Sequence, residues 1–244
     1  MKNKTVLFLG GNSDIAISTA KVFAKNGYNL QLAARSVQDL ETIISDIKIR
    51  FNVNVEYFYL DILKTNNFDN FIESLDELPD IIICCVGLMG SESIDQTNFS
   101  NFKNVLRTNF EGPAILLDKL AKRIHNKKLA TIIGISSIAG IRGRGSNYIY
   151  GSAKAGFISY LSGLRSRFNH KIHVITVLPG FVNTKMTKHL SLPRLLTSSS
   201  EDIAKKIYYG YKKNLYYIYP NIIWKIIALI IRIIPEFIFK NLKF

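Results

Sequence analysis

"TVLFLGGNSDIA" occupies residues 5–16. Five apolar or β-branched residues meet two glycines, and Asn12-Ser13-Asp14 then opens a stretch of helical periodicity. The spacing predicts a buried strand, a tight turn and a helix over 14–26, ending at Asn26-Gly27, where glycine supplies the C-terminal stop. The first amides of a helix lack partners within it and sit at its positive end, so such a turn is a natural phosphate cradle. A plain connecting turn is the alternative. The strict G-x-G-x-x-G is absent: Gly10 stands first, Asp14 takes the place of the second glycine and Ala16 that of the third. Asp14 then puts a carboxylate near a phosphate; the reading taken is that it caps the helix instead, its side chain turned toward the first-turn amides.

The same alternation continues outward. Short apolar runs at 28–34, 53–60, 80–86, 130–136, 173–179 and 214–220 read as strands, and the segments 37–51, 66–77, 101–125 and 148–168 read as helices. Near-continuous Val/Ile/Leu strands separated by helices are the pattern of a parallel sheet covered on both faces. The expected fold is α/β, a Rossmann-like doubly wound parallel sheet followed by an apolar C-terminal helical tail. The division falls at residues 1–220 and 221–244, and 191–202 reads as a long polar loop.

Bulk properties narrow the partners. The chain has 244 residues, 48% of them hydrophobic, and a formal charge of +14. Such a charge points toward nucleic acid or an anionic membrane. The lysines are scattered, no run of five basic residues occurs and no zinc spacing or RNA-binding motif is present, so neither nucleic acid nor a metal is expected. Cys84 and Cys85 are adjacent and point to opposite faces of a strand, which keeps them from bridging and favours a reducing compartment. A first strand beginning near Lys4 leaves no room for a signal peptide.

The second strand ends Ala33-Ala34-Arg35-Ser36. NAD-binding turns place an acidic residue there for the ribose 2′-hydroxyl. Here a guanidinium stands instead, suited to a 2′-phosphate; a solvated loop arginine is the alternative. Asp61 follows the third strand and is placed to accept from an adenine amino group.

In "NYIYGSAKAG" (147–156), Tyr150 and Lys154 are one helical turn apart, and Tyr148 is not in line with that lysine. Ser137 lies thirteen residues before Tyr150 in "IGISSIAG" (133–140), Asn109 stands in "TNFEG" (108–112), and "LPGFVNT" (178–184) follows a strand. In these motifs the chain resembles the short-chain dehydrogenase/reductase family over residues 4–219. The resemblance implies a catalytic set of Asn109, Ser137, Tyr150 and Lys154. It implies NADP contacts from Gly10, Asn12, Ser13, Asp14, Ile15, Arg35, Asp61, Gly87, Tyr150, Lys154, Pro179, Gly180, Val182 and Thr184. Tyr150 would give the proton when hydride adds to a ketone. A free phenol has a pKa of about 10, and the Lys154 ammonium with the oxidised nicotinamide is expected to lower it. Ser137 would hydrogen-bond the substrate oxygen, and Asn109 would hold a water linking Lys154 to solvent. The family commonly carries Asn-Asn-Ala-Gly where this chain has Cys84-Cys85-Val86-Gly87; small core cysteines are the reading taken.

The segment "NIIWKIIALIIRIIPEFIFKNLKF" (221–244) is apolar except for a stripe holding Lys225 and Arg232 and the terminal Lys240 and Lys243. Pro235 interrupts it before the ~20 residues a bilayer span needs. A helix lying in an anionic membrane surface is expected, with Trp224 at headgroup level; a buried homo-oligomer interface is the alternative. Together with "VGLMG" (86–90) and the variant turn at Asp14 and Ala16, this ending resembles the family's reductases of decaprenylphosphoryl-2-keto-ribose. That resemblance implies a keto-sugar on a polyprenyl phosphate, a separate flavin oxidase as partner, and a cytoplasmic enzyme held at the inner membrane face. Alternatives are a 3-oxoacyl carrier-protein or steroid-type ketoreductase, and a non-catalytic NADP-sensing module.

Overall fold

A computed structural model of the chain describes residues 3–36, 38–90, 99–127, 130–188 and 192–242. The opening stretch forms strand β1 (Thr5–Leu9), buried throughout, and helix α1 (Asp14–Lys25). Then come β2 (Asn29–Ala34), α2 (Gln38–Phe51), β3 (Val55–Tyr59), α3 (Phe68–Glu73) and β4 (Ile81–Cys84). The helix expected at 101–125 is α4 (Phe99–Leu106) and α5 (Gly112–Ile124), joined by a wider π turn over Arg107–Glu111. The second half runs β5 (Ala130–Ile135), α6 (Tyr148–Arg167), β6 (Ile172–Val177), β7 (Phe181–Asn183), β8 (Thr197–Ser199), α7 (Ser200–Lys212), β9 (Tyr217–Ile218), α8 (Ile222–Ile233) and α9 (Glu236–Phe239).

Seven strands make one parallel sheet in the order β3-β2-β1-β4-β5-β6-β9. The order reverses between β1 and β4, and a crevice at the carboxyl ends of the strands is where such sheets bind ligands. Strands covered on both faces need apolar residues at every position. Alternate residues of β1 accordingly enter different clusters: Val6 and Phe8 pack with α1, α2 and α7, while Leu7 and Leu9 pack with α3, α5 and α6.

Two sequence expectations change here. The polar stretch at 191–202 read as a loop, yet Thr197–Ser199 pair with β7 and Ser200 opens α7. Its serines are a cap: Ser199 Oγ accepts from the Asp202 amide at 3.0 Å, and Ile203, Ala204 and Ile207 then pack inward. Trp224 is not at a surface. It is 6% exposed and packs edge-on against Phe181, with ring centroids 5.2 Å apart. Burying an indole whose N–H has a partner is favourable, and Trp224 Nε1 donates to the Leu196 carbonyl at 2.8 Å.

Arg142 fixes the far end of α8. Its Nη1 donates to the carbonyls of Ile231, at 2.7 Å, and Ile234, its Nη2 pairs with Glu236, and its guanidinium lies 3.9 Å from the Phe239 ring centre. A cation at a helix C-terminus satisfies carbonyls with no partner inside the helix. Trp224, Ala228 and Ile231 face the protein, while Ile222, Ile226, Leu229, Ile230 and Ile233 face outward.

Candidate active site

The turn after β1 is held close to the sheet. The amides of Gly10 and Gly11 both donate to the Ala33 carbonyl at 2.9 Å. Gly10 has φ +80°, and a side chain on it would come within 3.1 Å of the Val86 nitrogen beyond β4. Ser13 caps α1, its Oγ accepting from the Ala16 amide at 3.2 Å. The sequence assigned that capping to Asp14. Instead Asp14 Oδ2 accepts from the Lys185 amide at 2.6 Å, tying the head of α1 to the turn after β7. With the Asp14 carboxylate engaged by Lys185, the amides at the head of α1 fit an anion. Arg35 is exposed and lies two residues beyond Ala33, the acceptor for both glycines, so it stands beside this turn. Asp61 Oδ1 accepts from the Leu63 amide at 3.0 Å and shapes the turn after β3.

A cavity of about 290 Å³ runs from this turn along the strand ends. Of the residues singled out in the sequence, Asn12, Ser13, Asp14, Ile15, Gly87, Ser137, Tyr150, Lys154, Pro179, Gly180, Val182 and Thr184 line it. Gly10, Arg35, Asp61 and Asn109 stand outside its wall. Ser137 follows β5 in extended backbone, its Oγ accepting from the Ala139 amide at 3.1 Å and donating to the Pro179 carbonyl at 3.5 Å, and its hydroxyl favours the charged form of the neighbouring Tyr150 phenol. Lys154 is 3% exposed, with Nζ 3.3 Å from the Ile135 carbonyl and 5.7 Å from the centre of the Tyr150 ring. Tyr148, two residues earlier on α6, is 44% exposed.

The electrostatics differ from the sequence expectation. Burial pushes the Tyr150 phenol up to about 12, opposed by the Ser137 hydrogen bond and the Arg144 charge. Burial also pulls the Lys154 ammonium down to about 8. Removing a charged form from water costs more here than the neighbouring groups return, so the protein alone holds Tyr150 as a neutral phenol. Asn109 differs as well. It is fully buried, Oδ1 accepts from the Leu88 amide at 3.1 Å, and Nδ2 donates to the carbonyls of Leu88 and Val105. Both side-chain donors are spent on backbone, so the side chain braces the strand end after Gly87 rather than holding a water with its amide nitrogen. Burial raises both cysteine thiols, Cys84 to about 11 and Cys85 further, which keeps them protonated and unreactive.

Among the parts of the wall that sequence reasoning missed are Arg144, Asn147 and the underside of α8 at Trp224. Arg144 carries no spacing signal. Trp224 is the chain's lone tryptophan, and Gly180 marks its place, since any side chain there would fall 2.0 Å from the indole nitrogen.

This constellation, with a phosphate turn at one end and a Ser-Tyr-Lys cluster at the other, is that of a dehydrogenase working with a dinucleotide. The chain belongs to the short chain dehydrogenase family, which it matches over residues 4–194, and it is an NAD(P)-dependent oxidoreductase. It is 27% identical over 194 residues to the 3-oxoacyl-acyl-carrier-protein reductase FabG of Chlamydia trachomatis, covering 78% of each chain. It is 28% identical over 193 residues to an NADP-dependent 3-hydroxy acid dehydrogenase of Schizosaccharomyces pombe, covering 77% of this chain and 74% of the other. In fold it is similar to a short-chain dehydrogenase of Sphingobium yanoikuyae solved with NADPH: TM-score 0.82, 21% identity, 96% of this chain and 97% of that one.

Proposed function

We propose that this oxidoreductase is an NADPH-dependent ketoreductase whose substrate is a keto-sugar carried on a polyprenyl phosphate. The observation that carries this reading is the double role of α8. Its inner face, at Trp224, walls the catalytic cavity, and its outer face presents Ile222, Ile226, Leu229, Ile230 and Ile233, with Lys225 and Arg232 exposed along one edge. Among the described residues no helix is long and apolar enough to cross a membrane. An apolar face edged by cations is suited to lie in an anionic surface, and it sets the cavity beside lipid. Lys240 adds to the basic edge; Lys243 lies outside the described residues. On this reading 1–220 is the catalytic domain and 221–244 the membrane-associating tail.

NADPH is preferred over NADH because the end of β2 carries Arg35 where NAD-binding turns carry a carboxylate. Gly10, the amides of Asn12 to Ile15, Asp61, Gly87, Pro179, Gly180, Val182 and Thr184 complete the contacts. When bound, the nicotinamide supplies the hydride. The protein's part is the proton and the orientation of the ketone. Tyr150, held neutral by burial, donates its proton to the carbonyl oxygen as that oxygen gains charge. Ser137 hydrogen-bonds the same oxygen. Lys154 stabilises the phenolate left behind, and Asn109 positions the backbone at Leu88 behind it.

A specific observation favours a second reading, a 3-oxoacyl carrier-protein reductase: the similarity to a reductase of that name. One assay separates them. Full-length protein on anionic vesicles is expected to oxidise NADPH in the presence of a polyprenylphosphoryl 2-keto-pentose, much faster than NADH, and truncation after Pro220 to abolish that turnover. Equal rates with NADH discard the role of Arg35. Reduction of a 3-oxoacyl carrier protein, unaffected by truncation, discards the lipid-linked substrate.

A further inference from the structure

The loop between β5 and α6 holds two arginines two residues apart, and they are treated differently. Arg142 is fully engaged with the ends of α8 and α9, as described above. Arg144 is partly buried, lines the catalytic cavity, and among the described residues makes no side-chain hydrogen bond or ion pair. A guanidinium stays charged and carries five donors in a planar fork. Burying one without a partner is unfavourable unless a ligand completes it. Burial does weigh against its charge, with Tyr150 the one group opposing that shift. The carboxylate that lines the same cavity, Asp14, belongs to the phosphate turn and accepts from the Lys185 amide.

Three residues on, Asn147 lines the same cavity. It occupies the capping position of α6 but makes no capping bond, and its Oδ1 is buried with no partner. One stretch of wall thus offers an unpaired cation and an unpaired acceptor. Arg144 also lines a second cleft, formed with Phe239, Lys240 and Leu242 of the tail, where Glu236 is neutralised by Arg142. A molecule reaching from the Tyr150 phenol to that cleft passes Arg144.

We infer that Arg144 and Asn147 form a substrate-recognition site, in which the guanidinium holds a phosphate ester and the Asn147 amide oxygen accepts from a hydroxyl of the same molecule. This deepens the lipid-linked reading, on which it rests for the source of the phosphate. A carrier-borne phosphopantetheine has the same chemistry. Arginine–phosphate contacts are frequently bidentate where lysine contacts are not, so such a site reads shape as well as charge.

The test uses full-length protein saturated with NADPH and a neutral water-soluble ketone, with farnesyl phosphate, farnesol and 4′-phosphopantetheine as inhibitors. Isothermal titration of the same compounds onto the NADPH complex replaces kinetics where turnover is slow. Farnesyl phosphate is expected to compete with the ketone and to bind more tightly than farnesol. Arg144→Gln is expected to weaken it roughly tenfold to a hundredfold, the range for a charged hydrogen bond, with partial recovery in Arg144→Lys and none of the loss in Lys48→Gln, at an exposed position of α2. Binding unchanged by Arg144→Gln, farnesol binding as tightly, or competition with NADPH instead of ketone each overturns the inference. If Arg144-dependent binding persists but the polyprenylphosphoryl keto-pentose is not turned over, the site stands and the proposed substrate falls. Tighter Arg144-dependent binding of 4′-phosphopantetheine also upholds the site and assigns its phosphate to a carrier.

Discussion

The cavity has two walls of different origin. One is made by strand ends and α6, where Ser137, Tyr150 and Lys154 are set by a buried sheet and by a helix packed on it. The other is made by α8, which reaches the cavity through Trp224 and is held by the Leu196 carbonyl and the Arg142 clamp. The first wall holds polar groups where water is excluded, at a cost to folding. The second gains from burial. The Ser137, Tyr150 and Lys154 cluster thus sits on the buried sheet and the helix packed on it, and α8 adds an apolar surface opposite, at Trp224.

The largest expected effect tests the first wall. Tyr150→Phe removes the proposed proton donor and keeps the ring, so kcat is expected to fall by at least ~10²-fold while NADPH affinity holds. Tyr148→Phe, on an exposed ring, is expected to be mild. Steady-state kinetics and a cofactor titration on both variants check this. Equal losses in the two tyrosine variants would remove the distinction on which the first wall rests.

A smaller effect tests the second wall. Trp224→Ala opens a space beside Gly180 and Phe181 and leaves the Leu196 carbonyl without its donor. Truncating a buried Trp costs roughly 3–5 kcal/mol of stability. Losing the indole as a contact surface, worth ~1.5 kcal/mol, is expected to raise KM about tenfold with kcat nearly kept. Melting curves and the split of kcat against KM decide it. A fall in kcat as deep as that of Tyr150→Phe would mean that the two walls act as one.

The same division separates what the sequence reveals from what it hides. Ser137 was legible only through the family motif that sets it thirteen residues before Tyr150, whereas Tyr150 and Lys154 were legible as a pair because one helix carries them and local periodicity fixes their face. The turn at Gly10 was legible for the same reason. What failed depends on partners far along the chain. Asp14 meets Lys185, 171 residues away, and not its own helix. Asn109 spends its amide on Leu88, 21 residues back. Trp224 looked like a headgroup anchor because an apolar run does not say which of its faces meets protein. The helix α7 was hidden by a serine-rich start whose capping role shows only with Ile203 and Ile207 packed behind it.

The smallest expected effect gives the comparison its sign. Lys154 is held down at about 8 from an ordinary 10.5, with burial as the chief cause. Its folded pKa lies below its unfolded one, so between pH 8 and 10.5 the unfolded chain binds more protons and this residue's contribution makes stability rise with pH. Below pH 8 both states carry the proton, and the cost of burying the ammonium is present in full. Cys84, raised from 9.0 to about 11, and Tyr150, raised from 10.0 to about 12, act in the opposite direction at higher pH because the folded state keeps their protons longer. Comparing wild type with Lys154→Met largely cancels those groups. The methionine variant is expected to melt higher at pH 7, with the gap narrowing steadily by pH 10, whereas Trp224→Ala melts lower throughout. Opposite signs at the two walls would fix the first as chemistry held against stability and the second as burial that contributes to it. A gap for Lys154→Met that does not change with pH means the ammonium is not titrating in that window, and the cost then lies in packing rather than charge.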